Sequence, residues 1–170
     1  MKTIILPGFS PHNKDWALEV AKHLKLLNYD SYVHFWRHWE RGGSLSLNYE
    51  IEQIIKQAGD DKINFISKSV GTRVTLFLIP RFNEQIVKII FCGIPLRGFA
   101  DATKARFKET LSVFPHDKIV CFQNENDPFG SFEKVRKFIK KVNPGIETIE
   151  KPRSDHEYPY FDDFASFLKN

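Results

Sequence analysis

The sequence predicts an α/β fold, doubly wound, in which a mainly parallel sheet of about six strands carries helices on both faces. Three features predict it. Strand-like and helix-like stretches alternate along the whole chain, and the strand candidates are apolar at consecutive positions, as strands covered on both faces are. No repeat, low-complexity tract or linker interrupts the series, so residues 1–170 read as one domain, long enough to bury a core without disulfides or metals. In such sheets ligands bind at the carboxyl ends of strands, near the point where strand order reverses.

Thr3 to Leu6 is a short apolar run stopped by Pro7 and Gly8, and Trp16, Val20, Leu24 and Leu27 then recur at helical spacing up to Asn28. Ser31 to Trp36 is rich in aromatic and β-branched residues and predicts a second strand. A Gly-Gly-Ser loop follows at Gly42 to Ser44, and Leu47, Ile51, Ile54, Ile55 and Ala58 form a helical stripe. Ile63 to Ile66 predicts a third strand, running into a helix with Val70, Val74 and Leu78 on one face and its end at Pro80. Ile86 to Cys92 is a fourth strand, Asp101 to Leu111 a charged helix and Lys118 to Phe122 a fifth strand. A helix from Ser131 to Val142, a short strand at Glu147 to Ile149, and a helix with Phe161, Phe164, Ala165 and Leu168 complete the order.

The formal charge of +4 is a small excess. Its densest part, Lys134, Arg136, Lys137, Lys140 and Lys141, is interleaved with Val135, Phe138, Ile139 and Val142, which is the solvated face of a packed helix rather than a nucleic-acid footprint. Cys92 and Cys121 each end an apolar run and read as reduced core residues. No zinc spacing, cofactor fingerprint, signal peptide or membrane-length apolar run is present, so a cytoplasmic chain needing no cofactor, membrane or nucleic acid is expected. The sequence carries no signal for oligomeric state.

At the end of the third strand stand Ser67, Lys68, Ser69, Val70 and Gly71. A serine between strand and helix, flanked two residues away by small side chains, fits the turn of a nucleophile elbow, where a bulky neighbour would collide with the adjoining elements. The same serine also fits a plain helix N-cap. Position favours the elbow. A serine hydroxyl needs a base and the base needs a carboxylate, in the order serine, acid, histidine for this kind of sheet. Glu125, Asp127 and the turn Asp127-Pro128-Phe129-Gly130 follow the fifth strand, and Asp155 and His156 follow the sixth.

With these residues in hand the chain resembles the compact, capless branch of the α/β-hydrolase superfamily, including small serine hydrolases of the retinoblastoma-binding-protein type and dienelactone-hydrolase-like proteins. The likeness runs from Leu6-Pro7-Gly8-Phe9 through Ser67–Thr72 and Glu125–Phe129 to Asp155 and His156. It implies a triad of Ser69, Asp127 and His156, with the backbone N–H groups of Phe9 and Val70 as oxyanion hole. It departs at Ser67, which replaces a glycine, and at Lys68, which replaces an uncharged residue. Glu125 and Asp155 stand as rivals to Asp127 for the acid. Lys68 reads either as a contact for an anionic substrate or as a cation reaching solvent or a structural carboxylate.

Trp36, Arg37, His38 and Trp39 read as core, as pocket wall or as a stacking surface, and Ser10, Trp36, Trp39, Lys68, Pro95 and Phe129 are the expected pocket residues, with Ile94 and Leu96 beside them. His34, inside a strand, reads as structural, and His23 and His116 as solvent-facing. The function these readings predict is a serine hydrolase for a small ester or thioester. The alternatives are a hydrolase scaffold that binds a partner without catalysis and, less favoured for want of a glycine-rich loop at Pro7–Asn13, a flavodoxin-like nucleotide binder.

Overall fold

The computed structural model describes residues 1–169; Asn170, the last residue of the expected domain, lies outside them. The chain opens with Lys2–Leu6 (β1), Asn13–Leu26 (α1), Asp30–Val33 (β2), the single turn His38–Arg41 (α2) and Leu47–Ala58 (α3). Ile63–Lys68 (β3), Val70–Phe82 (α4), Ile86–Cys92 (β4) and Asp101–Leu111 (α5) follow. Ile119–Asn124 (β5), Phe132–Val142 (α6), Glu147–Lys151 (β6) and Phe161–Lys169 (α7) complete it. The six strands form one sheet in the order β2-β1-β3-β4-β5-β6, and every pairing is parallel.

Alternation along the central strands builds two apolar layers. Ile4, Leu6, Phe65, Ile89, Phe91 and Cys121 face the stripes of α3, α4, α5 and α6. Ile5, Ile66, Ile90, Cys92, Val120 and Phe122 face α1 and α7 on the other side. Each large aliphatic side chain so buried contributes about 1.5–3 kcal/mol. The basic stripe of α6 behaves as expected: Val135, Ile139 and Val142 are buried while Glu133 pairs with Arg136 and Lys137 on the outer surface.

Strand order reverses at β1, whose neighbours are β2 on one side and β3 on the other. The loops that leave β1 and β3 therefore open over the same crevice. Two expectations are corrected. The second strand ends at Val33 rather than Trp36, because the last rung with β1 joins Ile5 to Val33 and the chain then turns so that the Trp36 indole reaches back to the loop after β1. Pro80 lies inside α4 instead of ending it. The last turn survives the missing N–H because Phe82 is buried, 6.0 Å from the Phe65 ring centroid.

Cys92 and Cys121 are free and fully buried, out of reach of solvent. Burial pushes both thiols well up from the ordinary cysteine range, although Lys68 pulls Cys92 partly back. Iodoacetamide is expected to leave both unmodified in the native protein and to alkylate both in denaturant. Rapid native alkylation read by intact mass would contradict this packing.

Candidate active site

Ser69 joins β3 to α4 with φ 55° and ψ −116°, a left-handed backbone that a non-glycine residue rarely adopts. Its hydroxyl makes no capping bond to α4, so the plain N-cap role is not taken up. The turn is held from several sides. The Ser69 N–H donates to the Cys92 carbonyl at 2.9 Å, and the Ser69 carbonyl accepts from the Thr72 hydroxyl at 2.6 Å. A Cβ on Gly71 would lie 2.3 Å from the Leu6 carbonyl oxygen, so only glycine lets α4 start this close to β1. Ser67, fully buried, occupies the other small position, and its hydroxyl shares a 2.6 Å hydrogen bond with that of Thr75. That bond explains how a polar residue is tolerated there.

His156 lies across Gly93 from this turn. Gly93 has φ 62°, follows the Cys92 carbonyl that holds Ser69, and a Cβ on it would sit 2.8 Å from His156 Cε1 and 2.6 Å from the Tyr158 ring. His156 Nδ1 donates to Asp127 Oδ2 at 2.6 Å. Phe129, half exposed, covers the imidazole with centroids 4.7 Å apart. His156 Nε2 is screened from solvent and has no hydrogen-bond partner among the described residues.

Of the three expected carboxylates only Asp127 touches the histidine. It is 3% exposed and accepts from His156, from the Tyr158 hydroxyl at 2.6 Å and from the Phe129 N–H at 2.8 Å. Asp155 points instead to Arg153, whose hydrogen bonds hold its carboxyl below the usual carboxylate range. Glu125 is exposed. Tyr158 and Asn124 escaped the sequence reading. Burial, and then the Asp127 carboxylate, push the Tyr158 phenol far up, so its hydroxyl remains a donor. The Tyr158 carbonyl accepts from the Trp16 indole at 2.8 Å, and Asn124 Nδ2 donates to the Asp155 and Glu157 carbonyls at 2.9 and 2.8 Å. These bonds pin the loop that carries His156 to α1 and to the end of β5. The available signal was Tyr158 two residues after the histidine, where an extended chain returns its side chain to the same side.

The loop after β1 is braced by the tryptophan motif. Trp36 Nε1 donates to the Pro7 and Gly8 carbonyls at 3.2 and 3.0 Å, while His38 Nε2 and Trp39 Nε1 both meet the Phe9 carbonyl at 2.7 Å. In a trans peptide the C=O and N–H point oppositely, so holding the Gly8 carbonyl from behind aims the Phe9 N–H outward. Neither the Phe9 nor the Val70 N–H donates to another residue among those described. Trp36 is 1% exposed and is thereby removed from the pocket residues: its ring belongs to the core beneath the loop. His34, likewise, is bonded to the buried Glu50 at 2.7 Å.

Lys68 is also withdrawn from contact with substrate, since its side chain is 1% exposed. Its ammonium donates to Glu157 Oε2 at 2.7 Å and lies 5.4 Å from the Trp16 ring centroid. The neighbours of Ser69 and His156 in sequence are thus joined to each other. Of the remaining pocket residues, Pro95 shares a cavity of about 270 Å³ with Ser69 and Val70. Phe129 and Leu96 line one of about 470 Å³ beyond it. Ser10 is exposed and lines neither cavity, Trp39 is half-buried against the Phe9 carbonyl, and Ile94 is fully buried, its N–H bonded to Gln123.

No protein-family model matches the sequence, and no curated protein does. Solved structures do match over almost the whole chain. An α/β serine hydrolase homologue from Coxiella burnetii superposes with TM-score 0.74 at 15% identity, covering 100% of this chain and 84% of its own. A serine hydrolase without lid from Xanthomonas campestris gives TM-score 0.70 at 15% identity, over 99% of this chain and 78% of its own. The thioesterase domain from the curacin biosynthetic pathway gives 0.78 at 11% identity, over 99% and 90%.

Because the Gly71 contact is with backbone, Gly71→Ala is expected to cost roughly 1–3 kcal/mol or more as the turn is forced off Leu6. Urea unfolding measures it, and a loss below about half a kcal/mol would mean that the close approach is not rigid.

Proposed function

We propose that this chain, which has the α/β-hydrolase fold without a cap domain, is a serine hydrolase acting on an ester or thioester. The observation that carries the reading is Ser69, held in a left-handed turn with its hydroxyl unspent on capping and its N–H on the Cys92 carbonyl, while the next residue, Gly93, packs against a histidine whose Nδ1 is bonded to buried Asp127. Asp127 accepts three donors and has no proton to give, so Nδ1 carries the imidazole hydrogen and Nε2 is left basic. His156 Nε2 takes the proton as Ser69 Oγ attacks the carbonyl carbon. The negative charge on the former carbonyl oxygen is met by the Phe9 and Val70 N–H groups. Collapse expels the alcohol or thiol, protonated by His156, and water, deprotonated by the same nitrogen, releases the acid and restores Ser69.

A second reading, a hydrolase scaffold that binds a partner, draws on the unpartnered His156 Nε2, since a poised triad bonds that atom to serine. Catalytic hydrogen bonds in ligand-free enzymes are often long and tighten only around substrate, which favours the first reading. A fluorophosphonate probe separates them. Stoichiometric labelling that disappears in Ser69→Ala is expected; an unlabelled wild type, or labelling that survives the substitution, would defeat the hydrolase reading.

The acid is tested separately. Asp127→Asn is expected to lower kcat by roughly 10⁴-fold by misorienting the imidazole tautomer, while Asp155→Asn changes it only a few-fold. The reverse ranking would transfer the role to Asp155. Trp36→Phe keeps an aromatic though smaller ring and frees two carbonyls, and kcat is expected to fall by roughly ten- to a hundredfold with KM little changed as the Phe9 N–H loses its aim. An unchanged kcat would show that the brace serves folding alone.

A further inference from the structure

The geometry points to a substrate whose short acyl group carries its own carboxylate, received by Arg73. This inference rests on Ser69 as nucleophile and names the substrate class of that same site. Ser69 and Val70 form one wall of the 270 Å³ cavity, and small or apolar residues, among them Pro95, Gly98, Ala100 and Ala102, form most of the rest. Arg73 is the one charged residue among those lining it. It follows Ser69 by four positions and Val70 by three, so it stands on the same face of α4 about one 5.4 Å turn along.

Arg73 has no carboxylate or aromatic partner among the described residues. Arg106 pairs with Glu109 and covers Phe77, Arg136 pairs with Glu133, and Arg153 pairs with Asp155, whereas Arg41, Arg81 and Arg97 share the unpaired state of the exposed Arg73 among the described residues, and of these four only Arg73 lines the cavity that holds Ser69. The nearest acid in sequence to the cavity wall, Asp101, is 99% exposed and pairs with Lys104. The buried Lys68 is already neutralised by Glu157. Across the Pro95–Gly98 turn the 470 Å³ cavity is lined by Arg97, Lys104 and Lys134, again with no acid. The Ser69 cavity is thus lined by one cation and no acid, and the second by three cations, of which Lys104 is paired with Asp101, a charge balance that favours anions.

Size and shape narrow the class. The Ser69 cavity falls just under the roughly 300–1,000 Å³ of ordinary ligand pockets, so it suits an acyl chain of a few carbons. A guanidinium holds a carboxylate through two parallel N–H bonds, which fixes orientation as well as charge. An acid so held keeps the scissile carbonyl near Ser69 and the N–H groups of Phe9 and Val70. The substrate is a half-ester or half-thioester of a small dicarboxylic acid.

The test compares N-acetylcysteamine thioesters of succinate and butyrate, matched in carbon number and in leaving group, on the full chain. The kcat/KM ratio is expected to favour the succinyl thioester by roughly tenfold or more at low ionic strength, to shrink with salt, to fall toward one in Arg73→Gln and to be partly kept in Arg73→Lys. A wild-type ratio near one, or a preference that persists in Arg73→Gln, overturns the assignment. Protection from fluorophosphonate labelling reads the site without turnover. Monomethyl succinate should protect better than methyl butyrate in the wild type and lose that advantage in Arg73→Gln, and equal protection counts against Arg73. Failure to label at all refutes the nucleophile, whereas a labelled protein without acyl preference refutes only this inference.

Discussion

The backbone of Ser69 sits in a region that costs a non-glycine residue about 1–3 kcal/mol, and the rest of the site is arranged around keeping it there. A strand that entered α4 through ordinary angles would leave the serine side chain among the first helical turn. The left-handed turn lifts it off the end of β3 while Val70 begins the helix, its N–H without an acceptor among the described residues. Such strain persists only where the surroundings over-determine it. Here they are the Cys92 carbonyl on one side, the Thr72 hydroxyl on another, and the direct packing of Gly71 on the Leu6 carbonyl.

The same sheet edge is organised by satisfying polar groups in pairs. Asp127 is buried, and each of its donors comes from a different place: the imidazole of His156, the phenol of Tyr158 and the N–H of its own turn at Phe129. Lys68 is buried on the strength of Glu157, and losing one partner of such a pair costs about 3–5 kcal/mol where both are buried, less here because Glu157 is 43% exposed. Trp36, His38 and Trp39 spend their ring N–H groups on the carbonyls of the Pro7–Phe9 loop. Order at the strand ends thus comes from side-chain to backbone bonds rather than from further regular structure, and a rigid sheet carries the cost of holding them.

Much of this was legible in the chain because parallel sheets write themselves plainly. Strands buried on both faces need runs of consecutive apolar residues, and their crossovers need amphipathic helices, so the sequence showed both the sheet and its loop ends. Errors came where a local rule met a tertiary contact. Aromatic Trp36 read as the end of a strand and as core or pocket wall, and an acceptor for its indole N–H in a loop twenty-eight residues away ends the strand early and fixes the ring in the core. Pro80 looked like a helix end, yet burial of Phe82 outweighed one lost hydrogen bond.

What the sequence by itself determined is the order of strands and helices and the placing of Ser69, Asp127 and His156 after three different strands. Periodicity and turn chemistry are local, and they can be read without knowing which strands are neighbours. The tertiary structure alone decided that Asp127 and not Asp155 meets His156, that Tyr158 and Asn124 hold the histidine loop, that Lys68 is spent on Glu157, and that Arg73 lines the cavity that holds Ser69. Each is a choice among chemically equivalent side chains, and only distances between residues far apart in the chain distinguish them.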